Sequence, residues 1–167
     1  PQKGPGHLIE AMPEILEQKP EAKFVMCGSG ATEHYKGIAK EVAGDKVHFP
    51  GYVSDQELLS LMKSAEMTVA PSVYEPFGIV PLEAAACQTA TVGSYTGGMK
   101  DTIIHEYTGL HTYPADPNSI QNQVTRALED PGWTDWMGDK ARERVEDNFR
   151  WEQISAWTTG IYSDAFQ

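Results

Sequence analysis

The sequence predicts an α/β fold in which a parallel sheet carries helices on both faces. Short apolar runs alternate with segments of helical period along residues 5–112, and this alternation is typical of parallel strands joined by crossover helices. From about residue 116 onward the pattern is helical only, which predicts additional C-terminal helices. The length of 167 residues suits one domain with a sizeable core.

Three helices and three strands are predicted in the first 72 residues. "PGHLIEAMPEILEQ" has a helical apolar period, and Pro13 within it predicts a kink. "AKFVMCG" and "KVHFPG" are predicted strands, the second stopped by Pro50 and Gly51, and "EHYKGIAKEVA" is a helix between them. Ser54 and Glu57 form a capping box that opens the helix "SDQELLSLMKSA". "EMTVAPS" is the third strand.

The rest of the chain is predicted to add two strands and five helices. "GIVPLEAAACQ" is a helix with Pro81 in its first turn, where proline is tolerated. "TATVGS" and "TGLHTY" are strands, separated by the helix "GGMKDTIIHE". Three further helices are predicted near residues 116–130, 134–147 and 151–165.

Composition limits the classes of partner. The net charge of −11 argues against a nucleic acid, which is held by neutralising phosphates. No apolar run approaches the roughly 20 residues that span a bilayer, so no integral membrane segment is predicted. The opening "PQKGPGHLIEAM" has neither an initiator Met nor a signal peptide, which predicts an excised domain.

The cysteines predict the compartment. Cys27 and Cys87 lie in the apolar stretches "FVMCG" and "AAACQ", which predicts small buried thiols in a reducing compartment. A cytoplasmic location is therefore expected. No Cys/His spacing is typical of a zinc site.

Ligands of parallel α/β sheets bind beyond the carboxyl ends of the strands, and three of the loops there are rich in glycine. They are "CGSGA" with Gly28, Ser29 and Gly30, "APSVYEPFGIVP", and "GSYTGGMKD" with Gly97 and Gly98. Each loop alone is better explained by a tight turn than by a ligand, whereas three together favour ligand binding. The absence of G-x-G-x-x-G argues against a dinucleotide.

The loop "EPFGIVP" is suited to an anion. It leads into a helix N-terminus, where backbone N–H groups lack intrahelical partners. The amides of Gly78, Ile79 and Val80 fall at that position. Pro81 has no N–H to donate, so its presence there removes no donor.

Two glutamates flank these amides in an apolar context. Glu75 precedes the helix and Glu83 lies in its second turn. They could be solvated surface carboxylates, but partial burial would require a partner for each. A carboxylate accepts hydrogen bonds from two adjacent sugar hydroxyls. Carboxylates on both sides of anion-directed amides would therefore suit a nucleotide-sugar, with sugar, diphosphate and ribose in a row.

The segment "EPFGIVPLEAAACQTATVGSYTGGMKDTI" resembles the signature of retaining glycosyltransferases with the two-domain B-type (GT-B) fold, which include glycogen and sucrose synthases. "PQKG…LIEA" resembles the start of their C-terminal half, "HFPGYVSDQELLSLM" their base-binding region and "FRWEQISAWTTGIY" their closing helix. The resemblance implies a Rossmann-like sheet. It also implies that residues 1–167 form a single nucleotide-sugar-binding domain, with the N-terminal acceptor domain absent from this chain.

The resemblance assigns roles to three charged residues. Glu75 would bind the donor sugar hydroxyls and face the reacting carbon, and Lys3 would neutralise the diphosphate, which makes these two the candidate catalytic residues. Glu83 would bind the ribose hydroxyls. The resemblance also implies an arginine a few residues before this lysine, at a position that would precede Pro1.

The other expected substrate contacts come from loops. The amides after Phe77 would hold the diphosphate, backbone near Tyr52 and Val53 would meet the base, and the turn at Thr96 would line the sugar–phosphate pocket. The full set of these positions is Phe77, Gly78, Ile79, Val80, Thr96, Gly97, Gly98, Gly28, Ser29, Tyr52 and Val53. Two positions depart from the family pattern, Gln88 for Gly and Met99 for Leu, and altered packing alone is expected from them.

The implied function is transfer of a glucose-like hexose from a nucleotide diphosphate sugar to an acceptor hydroxyl, with retention at the anomeric carbon. No Asp-x-Asp motif is present, so neither a metal nor a cofactor is expected. The acceptor would be a sugar, a polysaccharide or a lipid-linked sugar, held by the absent half, and this chain alone is expected to be inactive. A nucleotide-sugar epimerase of the same fold and a non-catalytic nucleotide-binding module remain alternatives.

Overall fold

Helices and strands alternate along the chain, as the computed structural model of residues 2–29 and 32–165 shows. The strands are β1 (Phe24–Cys27), β2 (Val47–Gly51), β3 (Thr68–Ala70), β4 (Thr91–Ser94) and β5 (Gly109–Thr112). The helices are α1 (Pro5–Gln18), α2 (Thr32–Ala43), α3 (Asp55–Ser64), α4 (Ile79–Ala86), α5 (Met99–Thr102), α6 (Pro117–Glu129), α7 (Pro131–Asn148) and α8 (Trp151–Ala165). Every strand pair is parallel, which confirms the α/β class.

The strands form two sheets instead of the single parallel sheet that the sequence predicts. β1 pairs with β2, and β3, β4 and β5 form a second sheet in that order. Helices flank the sheets: α1 packs against α2 and α6, and α4 packs against α3 and α7. β1 and β3 therefore each keep one open edge within the described residues.

The main core lies under α1. Its apolar stripe, which includes Ile9, Met12 and Ile15, is buried in one cluster with Val92 of β4 and Leu110 of β5. The helix continues through Pro13, whose ring lies on the exposed face of α1. The apolar period therefore predicted the buried face correctly, and the proline is accommodated without ending the helix.

The capping box and the C-terminal helices agree closely with their predictions. The Ser54 hydroxyl accepts the N–H of Glu57, and the Glu57 carboxylate accepts the N–H of Ser54. α7 begins three residues earlier than expected, because Asp130 caps it and Pro131 occupies its first position, where the fixed φ of proline fits. No helix among the described residues is long and apolar enough to cross a bilayer.

Two elements differ from expectation. α5 has only four residues, because the chain turns extended at Ile103, which is buried beside Ala70 and Met99. β2 continues through Pro50 and Gly51, where a stop was predicted. β2 is paired on one side only, and proline is tolerated in such an edge strand.

The two cysteines have different environments. Cys87 is buried as predicted, whereas Cys27 is exposed, so the prediction for Cys27 was wrong. Cys27 ends β1, a strand of four apolar residues of which none is buried. The exposure follows from the open edge of β1.

Candidate functional site

The N-terminal segment docks on the loop after β3. The carbonyl of Gln2 accepts the N–H of Val73 at 2.9 Å. Gly4 caps α1 with φ +63°, and a Cβ at this position would overlap the carbonyl of Pro71. Glycine thus permits a close approach that places Lys3 directly beside this loop.

Lys3 and Glu75 form an ion pair at the carboxyl edge of β3. Lys3 Nζ lies 2.6 Å from Glu75 Oε2, and the Ser72 hydroxyl donates to the same oxygen at 3.3 Å. The Glu75 side chain is only 12% exposed, whereas that of Lys3 is 65% exposed. The carboxylate is thus nearly buried and the cation remains open to solvent.

The protonation of Glu75 is set by opposing effects. Burial alone would raise the pKa of its carboxyl, but the hydrogen bond and charge of Lys3, the N–H of Gly78 and the Ser72 hydroxyl together lower that pKa below its usual value. Glu75 is therefore ionised at neutral pH, as a carboxylate that accepts hydroxyl donors must be.

Replacing Lys3 with methionine is expected to raise the pKa of Glu75, because burial then acts without its main opposing charge. A carboxyl whose folded pKa is depressed stabilises the protein above its unfolded pKa, and this contribution is lost as the pH falls through the folded pKa. Lys3→Met should therefore reduce the contribution that the ionised Glu75 carboxyl makes to the free energy of unfolding at neutral pH. Carbon-detected NMR titration of the Glu75 carboxyl measures the shift.

Lys36→Met is the matched control, because Lys36 pairs with Glu33 on the exposed face of α2 and should leave the pKa of Glu75 unchanged. An identical Glu75 pKa in Lys3→Met and the parent protein would contradict the role of this ion pair.

Gly78 lies at the N-terminus of α4 as predicted. It is the N-cap with φ 88°, and a Cβ there would lie 3.1 Å from side-chain atoms of both Met99 and Thr102. Its N–H helps to lower the pKa of the Glu75 carboxyl, so this amide already faces a carboxylate. The N–H groups of Ile79 and Val80 begin the helix and have no intrahelical partner, which leaves these two for an anion.

The Gly97–Gly98 turn supports the Glu75 loop from behind. Gly98 donates its N–H to the carbonyl of Glu75 at 3.0 Å. Gly97 has φ +47°, and Cβ atoms on Gly97 and Gly98 would overlap the carbonyls of Glu75 and Phe77 respectively. The Thr96 hydroxyl donates to the neighbouring loop at 3.3 Å. The geometry gives this turn a packing function that sequence reasoning did not foresee.

A cavity of about 1390 Å³ is lined by many of the residues that the sequence predicts to bind substrate. It is lined by Lys3, Glu75 and Glu83 together with Val80, Gly28, Ser29, Tyr52 and Val53. The N–H of Gly28 bonds to Gly51 at 2.8 Å, which brings the loops after β1 and β2 together. Gly30 lies outside the described residues.

The other predicted positions are placed next to the Glu75 loop and do not line this cavity. They are Phe77, Gly78, Ile79, Thr96, Gly97 and Gly98. Phe77 and Ile79 expose large apolar side chains. These two residues therefore contribute backbone groups to the candidate site, and not buried side chains. The described residues contain no cluster of three His, Cys, Asp or Glu side chains that could hold a metal.

Sequence reasoning missed Ser72, Gln2 and Gly4. Ser72 is 3% exposed and holds Glu75, and its position three residues before Glu75, just beyond a strand, is the signal that could have identified it. Gln2 and Gly4 act through backbone contacts. Such contacts leave little trace in a single sequence.

Comparison with known proteins identifies the family. The family model "Glycosyl transferases group 1" matches residues 1–149. The chain belongs to this glycosyl transferase family. An uncharacterized glycosyltransferase of Methanocaldococcus jannaschii is 42% identical over 168 residues, which cover 99% of this chain and 43% of the relative. Glycogen synthase of Mycobacterium tuberculosis is 31% identical and is covered to 39% of its length.

Solved structures of glycosyltransferases share the fold of this group 1 chain. Sucrose-phosphate synthase from Thermosynechococcus elongatus matches with a TM-score of 0.87 and 35% identity, over 99% of this chain and 43% of that protein. An Anabaena protein crystallised with UDP and glucose has a TM-score of 0.87 at 22% identity, over 98% of this chain and 46% of that protein. These matches confirm the resemblance to B-type glycosyltransferases, and the chain spans less than half the length of these relatives.

Proposed function

We propose that this chain is the nucleotide-sugar-binding half of a retaining glycosyltransferase that transfers a glucose-like hexose from a nucleotide diphosphate sugar to an acceptor hydroxyl. The observation that carries the proposal is the nearly buried Glu75 carboxylate, held at 2.6 Å from Lys3 beside the N-terminus of α4. This arrangement places three groups side by side: a carboxylate that can accept hydrogen bonds from sugar hydroxyls, a cation, and backbone amides that can donate to an anion. Membership of glycosyl transferase group 1 favours transfer over epimerisation or non-catalytic binding.

In this proposal the diphosphate lies between Lys3 and the amides of Ile79 and Val80. The exposed Lys3 ammonium can turn from Glu75 toward a phosphate, or bridge both, because its side chain is mostly in solvent. The helix N-terminus adds partial positive charge. Together they stabilise the negative charge that develops on the leaving diphosphate, and the proposal needs no metal ion for this step.

The two glutamates then contact opposite ends of the donor. Glu83 is four residues beyond Ile79 in α4, about 6 Å along the helix axis, which places it one turn behind the amides and suits the ribose. Glu75 precedes the helix and suits the transferred sugar. As the anomeric bond breaks with oxocarbenium character, the Glu75 carboxylate would position the sugar and stabilise positive charge without forming a covalent bond.

The acceptor and the rest of the cleft belong to the longer protein in this proposal. The curated relatives are covered to 43% and 39% of their length, and catalysis needs donor and acceptor in a near-attack geometry. The proposal places the enzyme in the cytoplasm, where Cys27 and Cys87, both free thiols, stay reduced.

A transfer assay with radiolabelled donors tests the function. UDP-, GDP- and ADP-linked glucose and mannose are offered with mixed sugar, polysaccharide and lipid-linked acceptors to this chain and to the full-length protein. We expect labelled product from the full-length protein and none above background from the 167-residue chain. Multiple turnover by the chain alone would contradict the half-enzyme proposal. Intact donor in every reaction of the full-length protein would contradict glycosyl transfer itself.

A further inference from the structure

A small pocket lies at the amino end of β5, away from the candidate site. Its volume is about 180 Å³, and it is formed by the turn that precedes β5 and by one face of α7. Glu75 follows the carboxyl end of β3, and the amino and carboxyl ends of parallel strands lie at opposite edges of a sheet. The pocket shares no lining residue with the cavity beside Glu75, so the two are separate.

The turn before β5 holds an aromatic side chain at the pocket. Tyr107 and Thr108 donate their N–H groups to the carbonyl of Ile104 at 3.0 and 2.8 Å, and the Thr108 hydroxyl accepts the N–H of Ile104 at 2.8 Å. The Tyr107 ring meets the ring of Trp136 on α7 edge to face at 5.5 Å. Tyr107 is 43% exposed and Trp136 is 40% exposed. A fixed aromatic surface that remains open to solvent therefore borders the pocket.

Arg144 of α7 forms part of the pocket wall and is held in place. Its Nη2 donates to the carbonyl of Asp101 at 2.8 Å, and its Cζ lies 5.6 Å from the centre of the Phe149 ring. Its Nε has no hydrogen-bond partner among the described residues. A guanidinium carries several N–H donors, and the contact to Asp101 uses one of them. Arg144 therefore retains the capacity to donate to an oxygen atom in the pocket.

The same face of α7 supplies hydrogen-bond acceptors. The Asp147 carboxylate is exposed and lines the pocket, and no hydrogen bond or ion pair joins it to another of the described residues. Asn148 uses its Nδ2 on the carbonyl of Arg144 at 3.0 Å, which leaves its Oδ1 as an acceptor. Lys140 is paired with both oxygens of Glu143 at 2.7 and 2.8 Å. The cations and carboxylates of the pocket thus balance in charge.

This set of groups is suited to an uncharged sugar. Sugar hydroxyls both donate and accept hydrogen bonds, so they match a wall that offers guanidinium donors and carboxylate oxygens. The apolar C–H face of a sugar ring can cover the exposed aromatic surface of Tyr107. An anion is disfavoured, because the unpaired Asp147 carboxylate would repel it.

We propose that this pocket is a surface site for one uncharged hexose unit of an oligosaccharide or polysaccharide. Tyr107 packs against the sugar ring, Asp147 accepts hydrogen bonds from its hydroxyls, and Arg144 donates to them. The site is non-catalytic, because it lies at the edge of the sheet opposite to Glu75. It does not depend on the proposed transfer reaction, since it uses none of the residues assigned to the donor.

Fluorine NMR of the full-length protein labelled with fluorotryptophan tests the proposal, because Trp136 contacts Tyr107 and reports on the pocket. Trp136→Phe assigns the resonance, and maltotetraose, cellotetraose and mannotetraose are the probes. We expect at least one probe to shift the Trp136 resonance, with the same affinity in the parent protein and in Glu75→Ala. Asp147→Ala should bind that probe about tenfold more weakly or worse, as expected for loss of a charged hydrogen bond.

Asp45→Ala is the matched control, because Asp45 is exposed in the short turn before β2 and should leave the affinity unchanged. The proposal is overturned if none of the three tetrasaccharides shifts the Trp136 resonance, or if Asp147→Ala binds as tightly as the parent protein. Loss of the shift in Glu75→Ala would assign the binding to the candidate site and would also overturn it. Inorganic phosphate is the anion probe, and tighter binding of phosphate than of every sugar would show that the pocket is an anion site instead.

Discussion

Gly97→Ala is expected to lower the free energy of unfolding by about 2–5 kcal/mol. Alanine at the left-handed φ of +47° costs roughly 1–2 kcal/mol, and the overlap of its Cβ with the Glu75 carbonyl adds an overpacking cost of about 1–3 kcal/mol. Relief of the overlap must displace the Glu75 loop. The variant should therefore lose transfer activity as well as stability.

Gly37→Ala is the matched control for urea denaturation. Gly37 lies in α2, and a Cβ there meets nothing within 4 Å, so alanine should raise stability by about 0.5–1 kcal/mol through helix propensity. The two glycine substitutions are thus predicted to have opposite signs. A loss below about 1 kcal/mol for Gly97→Ala would mean that this turn does not support the Glu75 loop.

Local signals predicted the elements well. The Ser54–Glu57 capping box and the apolar stripe of α1 are short-range patterns, and both are present as expected. Gly78 was placed at a helix N-terminus from sequence alone and is the N-cap of α4. Glu75 was placed at the carboxyl edge of a strand, and the structure confirms this position just beyond β3.

Long-range features were predicted less well. The early end of α5 depends on the burial of Ile103 beside Met99, a contact that helical periodicity does not encode. The exposure of Cys27 depends on the sheet neighbour of β1, which an apolar run cannot specify. Gly98 supports Glu75 through a backbone hydrogen bond. The only sign of this contact in the sequence is the pair of adjacent glycines.

Glu83→Ala and Glu75→Ala are expected to separate binding of the nucleotide from binding of the sugar. Loss of Glu83 removes charged hydrogen bonds to the ribose, worth about 1.5–3 kcal/mol, which corresponds to roughly 10- to 150-fold weaker binding of the free nucleoside diphosphate. Loss of Glu75 should leave that binding nearly intact. It should reduce transfer by about 100- to 1,000-fold, the range for removal of one preorganised electrostatic contact.

Glu41→Ala is the control for charge alone, because Glu41 is exposed on α2 and lies outside the lining of the cavity. It should change neither nucleotide affinity nor transfer. Circular dichroism of each variant establishes that the fold is retained.

Calorimetric titration of the full-length protein and its Glu75→Ala and Glu83→Ala variants with UDP, GDP and ADP tests the central claim most directly. The account predicts that one nucleoside diphosphate binds the parent protein and Glu75→Ala with nearly equal affinity, and binds Glu83→Ala at least tenfold more weakly. Equal affinity of both variants, greater damage from Glu75→Ala, or no binding of any nucleoside diphosphate to the parent protein would contradict it.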